Sequence, residues 1–135
     1  MLTPTPTAAA MAQMVETYFR GVDTRDMDLI LSVLTEDCGF TVESHGDHVT
    51  GHDGLRAMFE HIWKTPGEVL HHDFVHTADV GAGRIASQFQ VTYRLADGRV
   101  VRKSNCNVST LRGDRIARIQ VYMAGDNRLK APPAG

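Results

Sequence analysis

The order of residue patterns along this chain constrains its fold most. Helical patterns fill the first half, and residues 84–96, 99–111 and 115–124 then read as three successive strands. The connections between these strands are short and place Asp beside Gly: Ala96-Asp97-Gly98 and Arg112-Gly113-Asp114. Asp-Gly and Gly-Asp supply the positive φ that tight hairpin loops need. The second half therefore predicts an antiparallel meander, one face of which must be covered.

The first half supplies helices for that purpose. Apolar residues from Met11 to Val22 recur at helical spacing, and the spacing returns from Leu55 to Trp63. Between them, Asp26 can cap a second helix. The remaining predicted segments are the second helix at 27–35, a short hairpin at 38–44 and 48–50, and a first long strand at 68–80. We predict an α+β conical half-barrel, a curved and mostly antiparallel sheet covered by three N-terminal helices.

Composition and charge narrow the class of protein. With 135 residues the chain has the length of one domain, and its net charge of −2 comes from interspersed acids and bases. No basic surface for nucleic acid or an anionic membrane is predicted. No apolar run approaches the roughly 20 residues that span a bilayer, and no secretion signal is apparent. Cys38 and Cys106 lack CxxC spacing, which favours free thiols in the cytoplasm.

The strand at residues 99–111 is unusually polar for the middle of a meander. One face carries Asn105 and Asn107, and the other carries Ser104 and Cys106. Buried polar groups need hydrogen-bond partners. Two interpretations stay open for this strand: hydrogen bonds across strands or at a dimer surface, and a cavity that holds a polar ligand.

Three segments carry a family resemblance: Val15 to Ile30, Leu34-Thr-Glu-Asp37, and Gly51-His-Asp-Gly-Leu55. Together they resemble the nuclear transport factor 2-like superfamily, which includes ketosteroid isomerases, SnoaL-like polyketide cyclases, scytalone dehydratases and limonene epoxide hydrolases. The resemblance implies a cone with a deep apolar pocket and a homodimer formed through the outer face of the sheet. It covers roughly residues 11–125, which we predict to be a single SnoaL-like domain. Pro- and Ala-rich composition at the two ends predicts a flexible lead at 1–10 and a tail at 126–135.

Site residues follow from the resemblance position by position. Tyr18 matches the helix-one tyrosine of the isomerases' oxyanion hole, and Asn107 matches their second donor. Their general-base aspartate belongs near residues 42–44, where Glu43 would serve only after a shift in register. The aspartate used by cyclases and epoxide hydrolases aligns near Val121, which cannot move protons.

Scytalone dehydratases instead pair a strand histidine with an aspartate after helix one. The resemblance implies His72 and Asp23 for these roles, with Asn107 opposite, and leaves the choice between His71 and His72 open by one residue. Histidine suits proton transfer because its ordinary pKa is about 6.5. The competing interpretations are a structural strand histidine and an aspartate that only caps a turn.

The expected function is cofactor-independent acid–base chemistry, a dehydration (lyase) or isomerisation, on an apolar oxygenated small molecule. The alternatives are a non-catalytic ligand-binding or structural dimer and a polyketide cyclase-like activity. The predicted pocket walls are Phe40, Phe59, Trp63, Phe89, Asn105 and Met123.

No metal site is predicted from the seven histidines, because two clusters lack a recognised ligand spacing: His45, His48 and His52, and His71, His72 and His76. Strict alternation along the strand places His72 and His76 on one face and His71 on the other.

Overall fold

The computed structural model describes residues 5–125. This part of the chain contains three helices and six strands: α1 Ala8–Thr24, α2 Met27–Ser32, β1 Leu34–Val42, β2 Asp47–Thr50, α3 Gly51–Ile62, β3 Gly67–Asp79, β4 Arg84–Leu95, β5 Val100–Arg112 and β6 Arg115–Tyr122. The predicted tail at 126–135 and the first four residues of the predicted lead lie outside the described residues. The extent of the domain, 11–125, stays a prediction.

The strands form one open sheet in the order β2-β1-β6-β5-β4-β3. β3 to β6 pair antiparallel as a meander, and β1 joins the meander parallel to β6. Bulges interrupt the pairing in β1, β3 and β6, and a bulge bends a strand and increases its twist. The predicted α+β half-barrel is confirmed.

Helix α1 starts earlier than the apolar pattern indicated. Thr7 caps it by accepting a hydrogen bond from the Ala10 amide at 3.1 Å, so the helix begins at Ala8 instead of Met11. It ends where Arg25 adopts a left-handed conformation with φ of 57°. Its apolar face is buried as predicted, and α1 packs across β3 and β4.

The second helix is shorter than predicted: α2 ends at Ser32 and not at residue 35. Asp26 caps α2 as expected, with its carboxylate 3.1 Å from the Leu29 amide. Leu34 already belongs to β1, where the Val33 carbonyl accepts a hydrogen bond from the Ile116 amide at 2.8 Å. Leu34 is fully buried there. Helical periodicity cannot distinguish a longer α2 from an earlier start of β1, since a buried leucine suits a helix and a central strand equally.

Strand β3 carries the irregularity that matters most for function. Its pairing with β4 shifts between His72 and Val75, so that Asp73 and Phe74 together face Phe89. Asp73 has φ of 55°, in the left-handed region. One extra residue in a strand exchanges the faces of every residue after it.

Candidate active site

A cavity of about 320 Å³ opens between helices α1 and α3 and the inner face of the sheet. This volume falls in the range of small-molecule sites. Five of the six predicted wall residues line it: Phe40, Phe59, Trp63, Asn105 and Met123. Its further apolar walls include Phe19, Ile62, Val69, Tyr93, Leu95 and Val121. Polar groups enter the walls at Tyr18, His71, Asn105 and Asn107. An apolar cavity with a few polar groups is the usual form of a small-molecule site.

Contrary to the prediction, Phe89 does not line the cavity. It is buried behind the wall, with its ring centroid 4.7 Å from that of Phe19 and 5.4 Å from that of His71. The inward face of β4 is as predicted, but α1 covers it at this point. Phe89 therefore supports the position of His71 by packing.

The histidine in the cavity is His71, and the prediction of His72 is corrected. His72 lies on the opposite face of β3, where its Nε2 is 2.7 Å from the Thr92 hydroxyl and its Nδ1 is 3.0 Å from the Asp73 carboxylate. Strict alternation placed His71 and His76 on different faces. The bulge at Asp73 puts both on the inner face and leaves His72 outside.

Asp23 holds His71 through both carboxylate oxygens. Oδ1 lies 2.6 Å from the His71 ring Nδ1, and Oδ2 accepts the His71 backbone N–H at 2.8 Å. The His71 and Asp23 side chains are only 12% and 11% exposed. A carboxylate only accepts hydrogen bonds, so in the neutral ring Nδ1 carries the proton and Nε2 bears the lone pair. Within residues 5–125 no hydrogen bond to Nε2 is found, and His71 lines the cavity.

His76 has a structural role, because neither of its ring nitrogens is free of a hydrogen-bond partner. Its Nδ1 lies 2.8 Å from the Ser87 hydroxyl and its Nε2 lies 3.1 Å from the Glu16 carboxylate. Both ring nitrogens are therefore occupied. Glu16 and Asp23 belong to α1, so two histidine–carboxylate pairs fix this helix on β3.

Tyr18 lies in the cavity wall with a hydroxyl that stays protonated. Its ring is buried beside Phe19 and Phe59, with centroids 5.0 and 6.3 Å away. Burial raises the pKa of Tyr18 far above its usual value, and the nearby Cys38 and Asp23 raise it further. No hydrogen-bond partner of the hydroxyl is found among residues 5–125. The group can therefore donate a hydrogen bond into the cavity.

Asn107 lies on the inner face of β5 and is only 3% exposed. Its side-chain Oδ1 is buried without a hydrogen-bond partner in the described part of the chain. Asn105, two residues earlier on the same face, lines the cavity and accepts the Ala124 amide at 2.9 Å. The polar face of β5 therefore belongs to a cavity wall.

The positions of Glu43 and Val121 bear on the two other bases that the resemblance considered. Glu43 lies outside the cavity, where its carboxylate accepts a hydrogen bond from the Gln120 amide at 3.0 Å, and Val42 is buried instead. Glu43 does not replace the missing base. Val121 lines the cavity, so an apolar side chain occupies the wall near which the resemblance places the aspartate of cyclases and epoxide hydrolases.

Arg25 is a cavity residue that sequence reasoning missed. It follows α1, and its guanidinium donates to the carbonyls of Trp63 and Gly67, both at 3.0 Å. These carbonyls lie at the end of α3 and the start of β3. Between them, Thr65 and Pro66 line the cavity and are exposed to solvent, so the cavity opens at this end. The only signal in the sequence is a basic residue after a helix, which is too common to indicate a site.

Among residues 5–125, no three His, Cys, Asp or Glu side chains converge as metal ligands. No helix in that range combines the length and apolar composition needed to cross a bilayer.

Comparisons with known proteins agree with this architecture. A family model described as SnoaL-like domain matches residues 15–119. No protein with a curated description matches the sequence. A solved structure from Xanthomonas campestris, provisionally named a polyketide cyclase, has 18% identity and a TM-score of 0.76 over 85% of this chain and 90% of its own.

Two other solved structures are similar in the same way. One from Pseudomonas putida, with the same provisional name, has 21% identity and a TM-score of 0.73 over 83% of this chain and 90% of its own. A nuclear transport factor 2-like protein from Burkholderia xenovorans has 18% identity and a TM-score of 0.71 over 87% of this chain and 92% of its own. At such identities the likeness shows the fold alone.

Proposed function

Because the chain belongs to the SnoaL-like domain family, we propose that its cavity is the active site of a cofactor-independent lyase or isomerase. The substrate in this proposal is an apolar small molecule with a carbonyl or hydroxyl group. The observation that carries the proposal is the pair of His71 and Asp23 at the cavity wall, with Nε2 of His71 left unoccupied. Such a pair is the usual arrangement of a general base and the carboxylate that orients it.

In the proposed reaction, Nε2 of His71 takes a proton from the carbon next to a substrate carbonyl. The Tyr18 hydroxyl and the Asn107 amide donate hydrogen bonds to the carbonyl oxygen as it gains negative charge. In a dehydration, the enolate then forms a C=C bond and breaks the C–O bond at the β-carbon. The leaving oxygen takes the proton back from His71 and departs as water. In an isomerisation, His71 returns the proton to another carbon.

The surroundings of the three residues support this chemistry. Donors aimed at a developing oxyanion act more strongly in an apolar cavity than in water. The buried Oδ1 of Asn107 costs about 1–3 kcal/mol while unpaired, and a ligand hydroxyl beside it would offset that cost. General acid–base catalysis contributes typically about 10²- to 10⁴-fold to a rate.

A simple β-hydroxy ketone tests the proposal without knowledge of the natural substrate. Dehydration of 3-hydroxy-1-tetralone leads to 1-naphthol, whose fluorescence reports turnover. We expect His71→Asn to lower the rate at least 100-fold, while His72→Asn, a change of the adjacent outward histidine, stays within about threefold of the parent. A rate for His71→Asn within threefold of the parent would remove His71 from the chemistry.

A non-catalytic ligand-binding protein or structural dimer is the second candidate. Val121 favours it, because the wall lacks the carboxylate that the resemblance assigns to cyclases and epoxide hydrolases. The same residue makes a polyketide cyclase-like activity the weaker alternative, although two similar structures carry that provisional name. If the parent protein binds 3-hydroxy-1-tetralone and neither dehydrates it nor exchanges its α-protons with deuterated solvent, the non-catalytic candidate replaces the enzyme.

We also propose that the protein is a homodimer that pairs through the outer face of the sheet. That face carries the row of Arg118, Gln120 and Tyr122 on β6, as expected from its alternation with the buried Ile119 and Val121. Aromatic residues and arginine are enriched at protein interfaces.

A further inference from the structure

We infer that Arg25 at the cavity opening binds a carboxylate of the ligand, so that the substrate is an apolar organic acid. This inference rests on the proposed function for the cavity as the substrate site and for His71, Tyr18 and Asn107 as its reacting end. The reacting oxygen would then lie at Tyr18 and Asn107, and the acid group would lie at the other end of the cavity.

The first argument is that the guanidinium is fixed in place and not fully used. Hydrogen bonds of 3.0 Å to the carbonyls of Trp63 and Gly67 occupy one N–H on each terminal nitrogen. A guanidinium has five N–H groups in a planar fork, so three remain. Because two bonds already fix the side chain, binding an anion would cost little additional conformational entropy.

The second argument is the uncompensated charge of Arg25. Both of its partners are neutral carbonyls, and no carboxylate of residues 5–125 forms an ion pair with it. Arg94, another arginine of the cavity lining, differs because Glu68 lies 3.9 Å from its guanidinium. His61 in the last turn of α3 also lines the cavity and does not oppose an anion there. The opening therefore favours a negatively charged group.

The third argument is the spacing along β3. Gly67 accepts a hydrogen bond from Arg25, and His71 lies four residues further on the same strand. At about 3.3 Å per residue, these backbone positions are roughly 13 Å apart. A ligand that reaches both ends therefore needs an elongated body between its acid group and its reacting carbon, and the cavity lining offers aromatic side chains for such a body to pack on.

A purely structural role for Arg25 is the competing explanation, because the Trp63 carbonyl lies at the C-terminus of α3, where a cation is favourable. Two isosteric probes separate the explanations: 2-naphthoate carries the charge and 2-naphthamide does not. Each competes with N-phenyl-1-naphthylamine, a neutral dye that fluoresces in apolar cavities, and the measurement is the ratio of their inhibition constants.

We expect the parent protein to prefer the carboxylate by at least threefold at low salt and less at 0.5 M NaCl, because salt screens exposed charges. Arg25→Gln should bring the ratio to about one while it leaves amide binding within twofold. Arg94→Gln, the matched control, should retain the preference. Arg25→Lys keeps the positive charge without the planar guanidinium and should retain part of the preference for the carboxylate.

Three results would overturn the inference: equal binding of both probes by the parent, equal weakening of both probes by Arg25→Gln, or a preference lost in His71→Asn and kept in Arg25→Gln. The last would place the anion at the histidine. If Arg25→Gln does not fold, the parent's salt dependence and Arg25→Lys decide the question. Turnover of 3-hydroxy-1-tetralone, which is uncharged, tests the proposed function separately, so either proposal can fail alone.

Discussion

At the residue scale, the two polar ends of the His71 ring have different surroundings. Nδ1 is fixed by Asp23 at 2.6 Å, while Nε2 faces the cavity. His76 on the same strand has partners at both nitrogens. The difference arises because α1 presents Asp23 to one side of His71 only, whereas Glu16 and Ser87 enclose His76. The unoccupied nitrogen, and not the presence of a histidine–carboxylate pair, distinguishes the candidate base from its structural neighbour.

Tyr18 gives a prediction on pH and stability. Its pKa in the folded protein is raised above 10, chiefly by burial, so the folded state holds a proton that the unfolded state releases. This proton contributes stability below pH 10 that is lost as the pH rises above that value. In chemical denaturation between pH 9 and pH 11, Tyr18→Phe should show a smaller loss of unfolding free energy than the parent. The same slope in both proteins would contradict the raised pKa, and Tyr122→Phe, at an exposed tyrosine, serves as control.

At the element scale, the left-handed Asp73 decides which histidine reaches the cavity. A β-branched residue tolerates φ of 55° poorly, and glycine adopts it freely. We therefore expect Asp73→Val to lower the unfolding free energy by about 1–2 kcal/mol and Asp73→Gly to change it little. Thermal unfolding of the two variants measures the difference.

Activity gives a second readout for the bulge. If Asp73→Val removes it, His72 replaces His71 at the cavity and turnover falls, whereas Asp73→Gly keeps the parent rate. Equal stability and equal turnover in the two variants would show that the bulge does not depend on the conformation of this residue.

The same element shows what the sequence could predict. Period-two alternation correctly identified the buried face of β4, since that strand is regular. In β3 it gave the wrong face for His72, because one left-handed residue exchanges the faces and Asp is compatible with that conformation without requiring it. Helical spacing located Tyr18, whereas Arg25 depends on a tertiary contact with a loop about 40 residues later, as its bond to Gly67 shows. Local patterns carry no information on such contacts.

At the scale of the whole molecule, the cavity is formed by a single chain, whereas the outer face of the sheet has the character of an interaction surface. The cavity walls come from α1, α3, β1, β3, β4, β5 and β6, so one chain is sufficient to form them. Within residues 5–125 the outer face carries no long helix, because α1 and α3 both line the cavity on the inner side. Leu70 and Tyr122 are 54% and 45% exposed. Exposed apolar groups on an uncovered sheet are typical of an interaction surface.

The proposed homodimer can be tested on these two residues. We expect the parent to sediment at twice the 14.9 kDa mass of the chain at micromolar concentration, because an interface across a sheet face reaches the area of stable dimers. The double variant Leu70→Glu, Tyr122→Glu would bury like charges against apolar surface in the dimer and should therefore sediment as a monomer. Val80→Glu introduces the same charge at an exposed apolar residue in the β3–β4 turn and should remain dimeric. A parent that sediments at 14.9 kDa would refute the dimer and leave the cavity proposals unaffected, since every residue they use belongs to a single chain.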